Sequence, residues 1–419
     1  MYRVGFGDCF LVSLPRRDGS NYFILIDCGT MLGTPHASER MSQVASNITE
    51  ATHGHVDLVV VTHEHWDHVS GFLQASEAFR NLQVGEVWLG WTEDPNDTTA
   101  QQLGAERMAL VNGLRLSASR MQLGGDADGF AALAGFLEYF GAANGPSSHD
   151  ALEVVRTMVA EPRYCRPTDP PRTLADPAAR LYVLGPPLDQ QLLFKTDDSP
   201  RESETYGPGL YHLDEYLGSA LTGMPLEAPF GTLHVIPDHV ANGMTFFREH
   251  YWAGESWRRI DSVWAGDASR LALRLDSATN NTCLVLAIEL ADGDVLLFPG
   301  DAQVGSWLSW QQLRWEVDGG IVSGPDLLRR TVLYKVGHHG SRNATLSDRG
   351  LALMEALGVA LLPVDRDIAR QRRWDNLPWP RLLQELQNKT AGALIQADSE
   401  LPRVSLPVDT HPLYYEVSL

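Results

Sequence analysis

Apolar positions in the first hundred residues fall in short runs separated by turn residues. Phe10-Leu11-Val12 and Tyr22-Phe23-Ile24-Leu25-Ile26 flank Arg17-Asp18-Gly19-Ser20, which predicts two strands joined as a hairpin. Leu58-Val59-Val60-Val61 is a continuous apolar run, the pattern of a strand covered on both faces. Beyond it Val69, Phe72, Leu73 and Phe79 recur at helical spacing, predicting an amphipathic helix that begins where a cluster of histidines ends. Glu86-Val87-Trp88-Leu89 reads as the next strand. Strand, polar turn, helix, strand is the alternation expected when helices cover a sheet.

The pattern then changes twice. Residues 99–180 read as a mostly helical insertion, with Ser147-Ser148 as an N-cap before Ala151-Leu152-Glu153-Val154-Val155. Residues 186–255 are rich in Pro, Gly, Asp and Ser with only short apolar pieces, and read as a loop-rich insertion. Regular patterning resumes over 276–419, the second half of the core. There Leu284-Val285-Leu286-Ala287-Ile288 and Val295-Leu296-Leu297-Phe298 flank an Asp-Gly turn, a strong hairpin signal. A further strand, Val332-Leu333-Tyr334-Lys335-Val336, runs into Gly337-His338-His339-Gly340. The expectation is one α/β domain over 1–419 carrying two insertions.

Composition is that of an ordinary globular protein, with 44% hydrophobic and 21% charged residues. The formal net charge of −20 alters the picture more. It disfavours broad coating of nucleic acid or anionic lipid, although a bound metal or the arginines between Arg366 and Arg381 offer local positive spots. The tract Arg366, Arg370, Arg372, Arg373, Trp374, Trp379 and Arg381 suits either a phosphate and base-stacking surface or a solvated helix end followed by packed tryptophans. Trp257-Arg258-Arg259-Ile260 with Trp264 offers the same two readings, with an amphipathic helix packing on the sheet favoured. The cysteines Cys9, Cys28, Cys165 and Cys283 are scattered without framework spacing and read as buried thiols. No run reaches the length of a membrane span, and a cytoplasmic location without membrane attachment is expected.

The chemistry sits at strand ends. His63, His65, Asp67 and His68 put three imidazoles and a carboxylate on the turn leaving a buried strand. Those are ligands preferred by Zn²⁺ and neighbouring first-row metals, and such a turn can splay them around two ions. The two later strands end at Asp301, in Pro299-Gly300-Asp301-Ala302, and at His338-His339.

At these residues the chain resembles the metallo-β-lactamase superfamily, whose hallmark H-x-H-x-D-H is present in full from His63 to His68. The resemblance implies a four-layer αββα fold. Gly5-Phe6-Gly7-Asp8, Asn280-Asn281-Thr282-Cys283-Leu284-Val285-Leu286 and Val336-Gly337-His338-His339-Gly340-Ser341 are further similar to the hydrolase-like domain of ComEC-type DNA-uptake proteins and its stand-alone relatives. By that likeness His63 and His65 serve a first metal, Asp67, His68 and His339 a second, and Asp301 bridges both. Zn²⁺ is the expected ion, in one or two copies, with Mn²⁺ or Fe as alternatives. Asp27, in Ile26-Asp27-Cys28-Gly29, looks like the family's early aspartate and is expected to hydrogen-bond a ligating histidine. Asp8 is a candidate for the same role or an ordinary turn residue.

The family's usual third histidine of the first site is missing, and Asn280-Asn281 stand in its place. Candidate replacements are those amides themselves, or His149, His234 and His239 from the insertions. Asp67 is expected to steer an attacking water as well as bind metal, and His338 to contact substrate or protonate the leaving group. Ser341, Arg342 and Asn343 are candidate contacts to an anionic substrate.

Two ions about 3.5–4 Å apart activate water and offset developing negative charge, which suits attack on a phosphodiester or an acyl carbon. The ComEC-like wording implies a phosphodiester, either nucleic acid or a nucleotide-derived small molecule. The alternatives are an acyl hydrolase acting on lactones, thioesters or amides, and a non-catalytic subunit or sensor whose insertions bind a protein partner.

Overall fold

The computed structural model describes residues 1–124, 127–141, 145–195, 236, 238–241, 243–252, 272, 275–372, 374, 376–402, 404 and 406–419. β1 (Cys9–Pro15) and β2 (Asn21–Cys28) form the predicted hairpin, with Phe10 opposite Ile26 and Pro15 opposite Asn21. β3 (His55–Val60), β4 (Gln83–Gly90) and β5 (Arg163–Cys165) follow in parallel, giving a five-stranded sheet in sequence order.

A second sheet takes β6 (Arg172–Leu174), β7 (Ala179–Gly185), β8 (Val285–Leu290) and β9 (Val295–Phe298). After the separate hairpin of β10 (Arg314–Val317) and β11 (Gly320–Ser323) it adds β12 (Thr331–Lys335), β13 (Val359–Leu362) and β14 (Leu394–Gln396). Its order is β14-β13-β12-β9-β8-β7-β6, antiparallel from β6 to β9 and parallel from β9 to β14. β15 (Val408–Thr410) and β16 (Tyr415–Val417) form a small ribbon.

The inner faces of the two sheets meet in one apolar cluster, in which Phe10, Ile24, Ile26, Leu58 and Val60 from the first pack with Leu181, Leu286, Ile288, Leu296 and Leu361 from the second. Alternation along β2 sends Leu25 the other way, into a cluster with Met41, Val44, Ile48, Val69, Phe72 and Leu152. That cluster seats the helices Ala37–Ala51, Trp66–Gln74 and Ser148–Arg156 on the outer face. On the far side Val304–Trp310 and Gly324–Arg329 pack on β7 and β9. The layering is helix, sheet, sheet, helix, as expected.

The chain divides into two compact units. Met1–Gly104, Glu138–Asp198 and Asp276–Leu419 make up the first and contain both sheets; the second comprises Ala105–Leu137 and Ser199–Leu275 and is helical in its described part. The mostly helical reading of 99–180 holds only to Arg156, after which β5, β6 and the start of β7 occupy 163–180. Strands of three residues are too short for periodicity to register. Most of 186–255, and Trp257-Arg258-Arg259-Ile260 with Trp264, lie outside the described residues. All four cysteines are free and buried. No described helix is long and apolar enough to cross a membrane.

Candidate metal centre

Strand ends place the site. Asp27, the penultimate residue of β2, adopts a left-handed backbone (φ 55°) and faces the turn after β3. Its carboxylate accepts from Thr62 N and from Thr62 Oγ1, each at 2.7 Å, and pairs with His68 Nδ1 at 2.8 Å. One aspartate therefore pins the turn and one histidine ring together. The helix expected after the histidines starts inside them: His65 is its N-cap, so Asp67 and His68 lie in the first turn. A carboxylate is favoured there by the helix dipole. That helix also ends at Gln74, and Phe79 belongs to a separate turn, Ser76–Phe79.

The Gly5-Phe6-Gly7-Asp8 loop braces this turn from the other side. Asp8 N donates to Asp67 O at 3.0 Å, and Gly29 N to Asp8 O at 2.9 Å. A Cβ on Gly7 (φ 153°) would sit 2.5 Å from Gly29 O and 2.6 Å from Asp67 O, so only glycine permits the approach.

Asp67, His68, Asp301 and His339 are all buried and offer donor atoms that lie within 4.8 Å of one another. Asp301 follows β9 and divides its oxygens. Oδ1 accepts from Lys335 Nζ at 3.2 Å and from His338 N at 3.1 Å, whereas Oδ2 faces His68 Nε2 at 3.2 Å and His339 Nε2 at 3.8 Å. His339 sits in a left-handed turn with His338, at φ 49° and 43°. Its Nδ1 meets Pro363 O at 2.6 Å, and its Nε2 meets Asp67 Oδ2 at 3.0 Å. With Nδ1 directed outward in both His68 and His339, each ring turns its Nε2 to the shared space.

Asp8, Asp27 and His68 form a second close group. Its members already have partners: Lys335 Nζ lies 2.5 Å from Asp8 Oδ2, and Asp27 is committed to Thr62 and His68. We read this group as the support of the first. Two carboxylates and two imidazoles suit a divalent transition ion. The observation that tests the fit is burial without partners: Asp67 Oδ1 and His68 Nε2 have no hydrogen bond in the protein. Asp8, Asp27, Asp67, Asp276 and Asp301 are all buried, and Lys335 is the buried ammonium among them. Such an excess of carboxylate persists only through protonation or cations.

His63 and His65 stand beside this group rather than in it. His63 Nε2 and His65 Nδ1 face each other at 2.9 Å, and Thr62 Oγ1 is 3.1 Å from His63 Nδ1. Burial pushes His65 down to about 3 and His63 well below the usual histidine range, so both are neutral, the form that binds metal. Burial works against charge on His68 too, but Asp301, Asp8, Asp67 and Asp27 together hold it well above the usual value. Burial likewise opposes ionisation of Asp301, and His68, Lys335 and His339 outweigh it, keeping this carboxyl well below its ordinary range.

The remaining expectations separate. Asn281 is structural, donating to Lys195 O at 2.8 Å and accepting from Gln303 N at 2.9 Å, which leaves its amide no role toward an ion. Asn280 is fully buried and its Oδ1 has no partner. His338 Nδ1 also has none, and burial pushes this ring down to about 4. Ser341 Oγ donates to Asn343 Oδ1 at 3.1 Å on the loop leaving His339, where Arg342 is exposed. His149 is half-buried at the start of the helix Ser148–Arg156 and belongs to neither close group of donors. His234 and the side chain of His239 lie outside the described residues. Of the arginine tract, Arg366 pairs with Asp398, Arg370 with Asp367 and Arg372 with Glu138. Arg373 is outside the described residues.

Sequence reasoning missed three features. Lys335, from β12, pairs with both Asp8 and Asp301, and a lysine inside an apolar strand run was its signal. Asp276 Oδ1 lies 3.9 Å from His65 Nε2, and burial, with Asp67 and Asp301 adding to it, pushes this carboxyl up to about 8. An aromatic wall flanks the histidines: Tyr139 and Phe140 each lie 5.2 Å from His65, Tyr139 stacks on Trp374, and Phe6 joins Trp374 to His339.

Residues 2–87, from the opening loop through most of β4, match the family model of the metallo-beta-lactamase superfamily. No curated protein and no solved structure matches the chain. The match covers His63 to His68 and Asp27; Asp301 and His339 lie beyond it and reach the same centre only through the fold. The helix–sheet–sheet–helix architecture is consistent with the metallo-β-lactamase fold. Matched sequence and converging donors together support a metal-dependent hydrolase, in a family that also includes non-catalytic members.

Proposed function

We infer that the protein is a metal-dependent phosphodiesterase. The observation that carries its metal dependence is the buried group Asp67, His68, Asp301 and His339, with donor atoms within 4.8 Å of one another. Held there, a divalent ion would supply Lewis acidity, lowering the pKa of water and offsetting charge on a reacting oxygen. The protein's own groups do the rest. Asp67 keeps Oδ1 unpartnered, the oxygen that would accept a hydrogen bond or proton from water. Lys335 and His338 N hold Asp301 Oδ1, so Oδ2 alone turns inward. His338 at about 4 is neutral near pH 7, which favours contact with substrate over donation of a proton to a leaving group. Asp27 and Pro363 O set the tautomers of His68 and His339.

The phosphodiester substrate rests on the ComEC-like wording of the three site loops. The negative net charge points to a nucleotide-derived small molecule ahead of long nucleic acid. Purified protein is assayed with and without Zn²⁺ or Mn²⁺ on bis(p-nitrophenyl) phosphate, cyclic and linear dinucleotides, DNA, RNA, lactones and thioesters. Metal-dependent turnover of phosphodiesters, lost in Asp301→Ala and His339→Ala, is expected. Turnover confined to acyl substrates would move the reading to an acyl hydrolase. Equal inactivity of wild type and variants on every class would leave a binding subunit.

A further inference from the structure

Asp276 and Asn280 stand four residues apart in the helical stretch preceding β8, so one face of it carries both side chains. Both are buried, Asp276 at 8% exposure and Asn280 at 0%. Asp276 Oδ2 takes the Asn280 side-chain N–H at 3.4 Å, which aims the other oxygen at His65. Oδ1 lies 3.9 Å from His65 Nε2, and both atoms are buried without a hydrogen-bond partner in the protein. A small rotation of the carboxylate brings them within bonding range. On the opposite edge of the ring, Nδ1 faces His63 Nε2 at 2.9 Å. If that pair of nitrogens shares an ion, both supply lone pairs, and His65 carries its proton on Nε2, the side where Asp276 stands.

Building on the metal-centre reading, we propose that Asp276 is the positioning residue of the first histidine pair. Its Oδ1 accepts Nε2–H of His65, turns the Nδ1 lone pair toward His63, and compensates for the histidine absent at Asn280-Asn281. A carboxylate behind a ligating imidazole orients the ring and raises its basicity. Asp27 does this for His68, and Pro363 O plays the corresponding part for His339. Asp276 gives a third ring the same support, from the segment where a ligand was expected.

Asp276→Ala and the isosteric Asp276→Asn, whose amide oxygen still accepts an N–H, test this. Zn²⁺ affinity is measured by competition with a chromophoric chelator, and the His65 tautomer by long-range ¹H–¹⁵N NMR of ion-free, ¹⁵N-histidine-labelled protein. The alanine variant should bind the weaker ion about 10- to 100-fold less tightly and lose the Nε2–H tautomer, while the asparagine variant stays close to wild type in both. Wild-type affinity and tautomer in both variants would overturn the proposal. So would loss of one ion in both with recovery in Asp276→His, since that pattern marks a direct ligand. Should wild type bind no Zn²⁺, the metal-centre reading fails, and the tautomer in the ion-free protein still decides the role of Asp276.

Discussion

Asp27, His338 and His339 share a left-handed backbone, which a non-glycine residue adopts at a cost of roughly 1–3 kcal/mol. All three contact the candidate centre, where the strain is offset by hydrogen bonds: Asp27 to Thr62, His338 N to Asp301, His339 to Pro363 and Asp67. Away from the centre, Glu289 on β8 shows the simpler electrostatics of the fold. Partial burial tends to raise its pKa, but Arg330, Tyr182 and Arg180 bind the carboxylate and lower it. A depressed folded-state pKa means stability that is present above the unfolded value of about 4.3 and lost as pH falls through the folded value. Glu289→Gln should therefore cost about 1–2 kcal/mol at pH 7. Urea melts across pH should show that deficit closing in the acid range, and a deficit unchanged to pH 3 would contradict the account.

Among the elements, the junction of β2 with the helix Trp66–Gln74 positions the most chemistry. The backbone of Gly29 lies so close that a Cβ there would meet Asp67 C at 2.5 Å and His68 C at 2.6 Å. Those atoms are main chain and cannot swing aside. Gly29→Ala should destabilise the protein by about 1–3 kcal/mol, the usual cost of overpacking. It should also weaken Zn²⁺ binding by displacing Asp67 and His68. Paired denaturation and chelator-competition measurements check both effects, and full Zn²⁺ affinity in this variant would show that the junction does not set ligand geometry. The hairpin β1–β2, strand β3 and hairpin β8–β9 were legible in the sequence because short apolar runs bounded by turn residues mark strands. The start of the helix at Trp66 was not, since Asp67 and His68 look polar in the chain yet are buried by the opening loop and Asp301.

For the whole molecule, the charge of −20 sets a background that any anionic substrate must cross. Salt screens such fields over about 8–10 Å at physiological ionic strength. Between about 20 and 150 mM NaCl, kcat/KM should rise for DNA or RNA and stay nearly constant for a singly charged phosphodiester. A fall with salt for the polyanions would instead reveal a local basic surface that outweighs the net charge.

The H-x-H-x-D-H run, the early aspartate and the strand ends at Asp301 and His339 could be read along the chain, because their residue types and spacing are local properties. Which histidines join which carboxylates was decided by the two sheets. Stacking β3 against β9 and β12 brings Asp67, His68, Asp301 and His339 within 4.8 Å while leaving His63 and His65 as a separate pair. The same packing turned Asn281 into a structural clamp, buried Lys335 between two aspartates, and set Asp276 behind His65. Local sequence chooses the kind of donor, but contact between residues hundreds of positions apart depends on how the apolar faces of two sheets fit together.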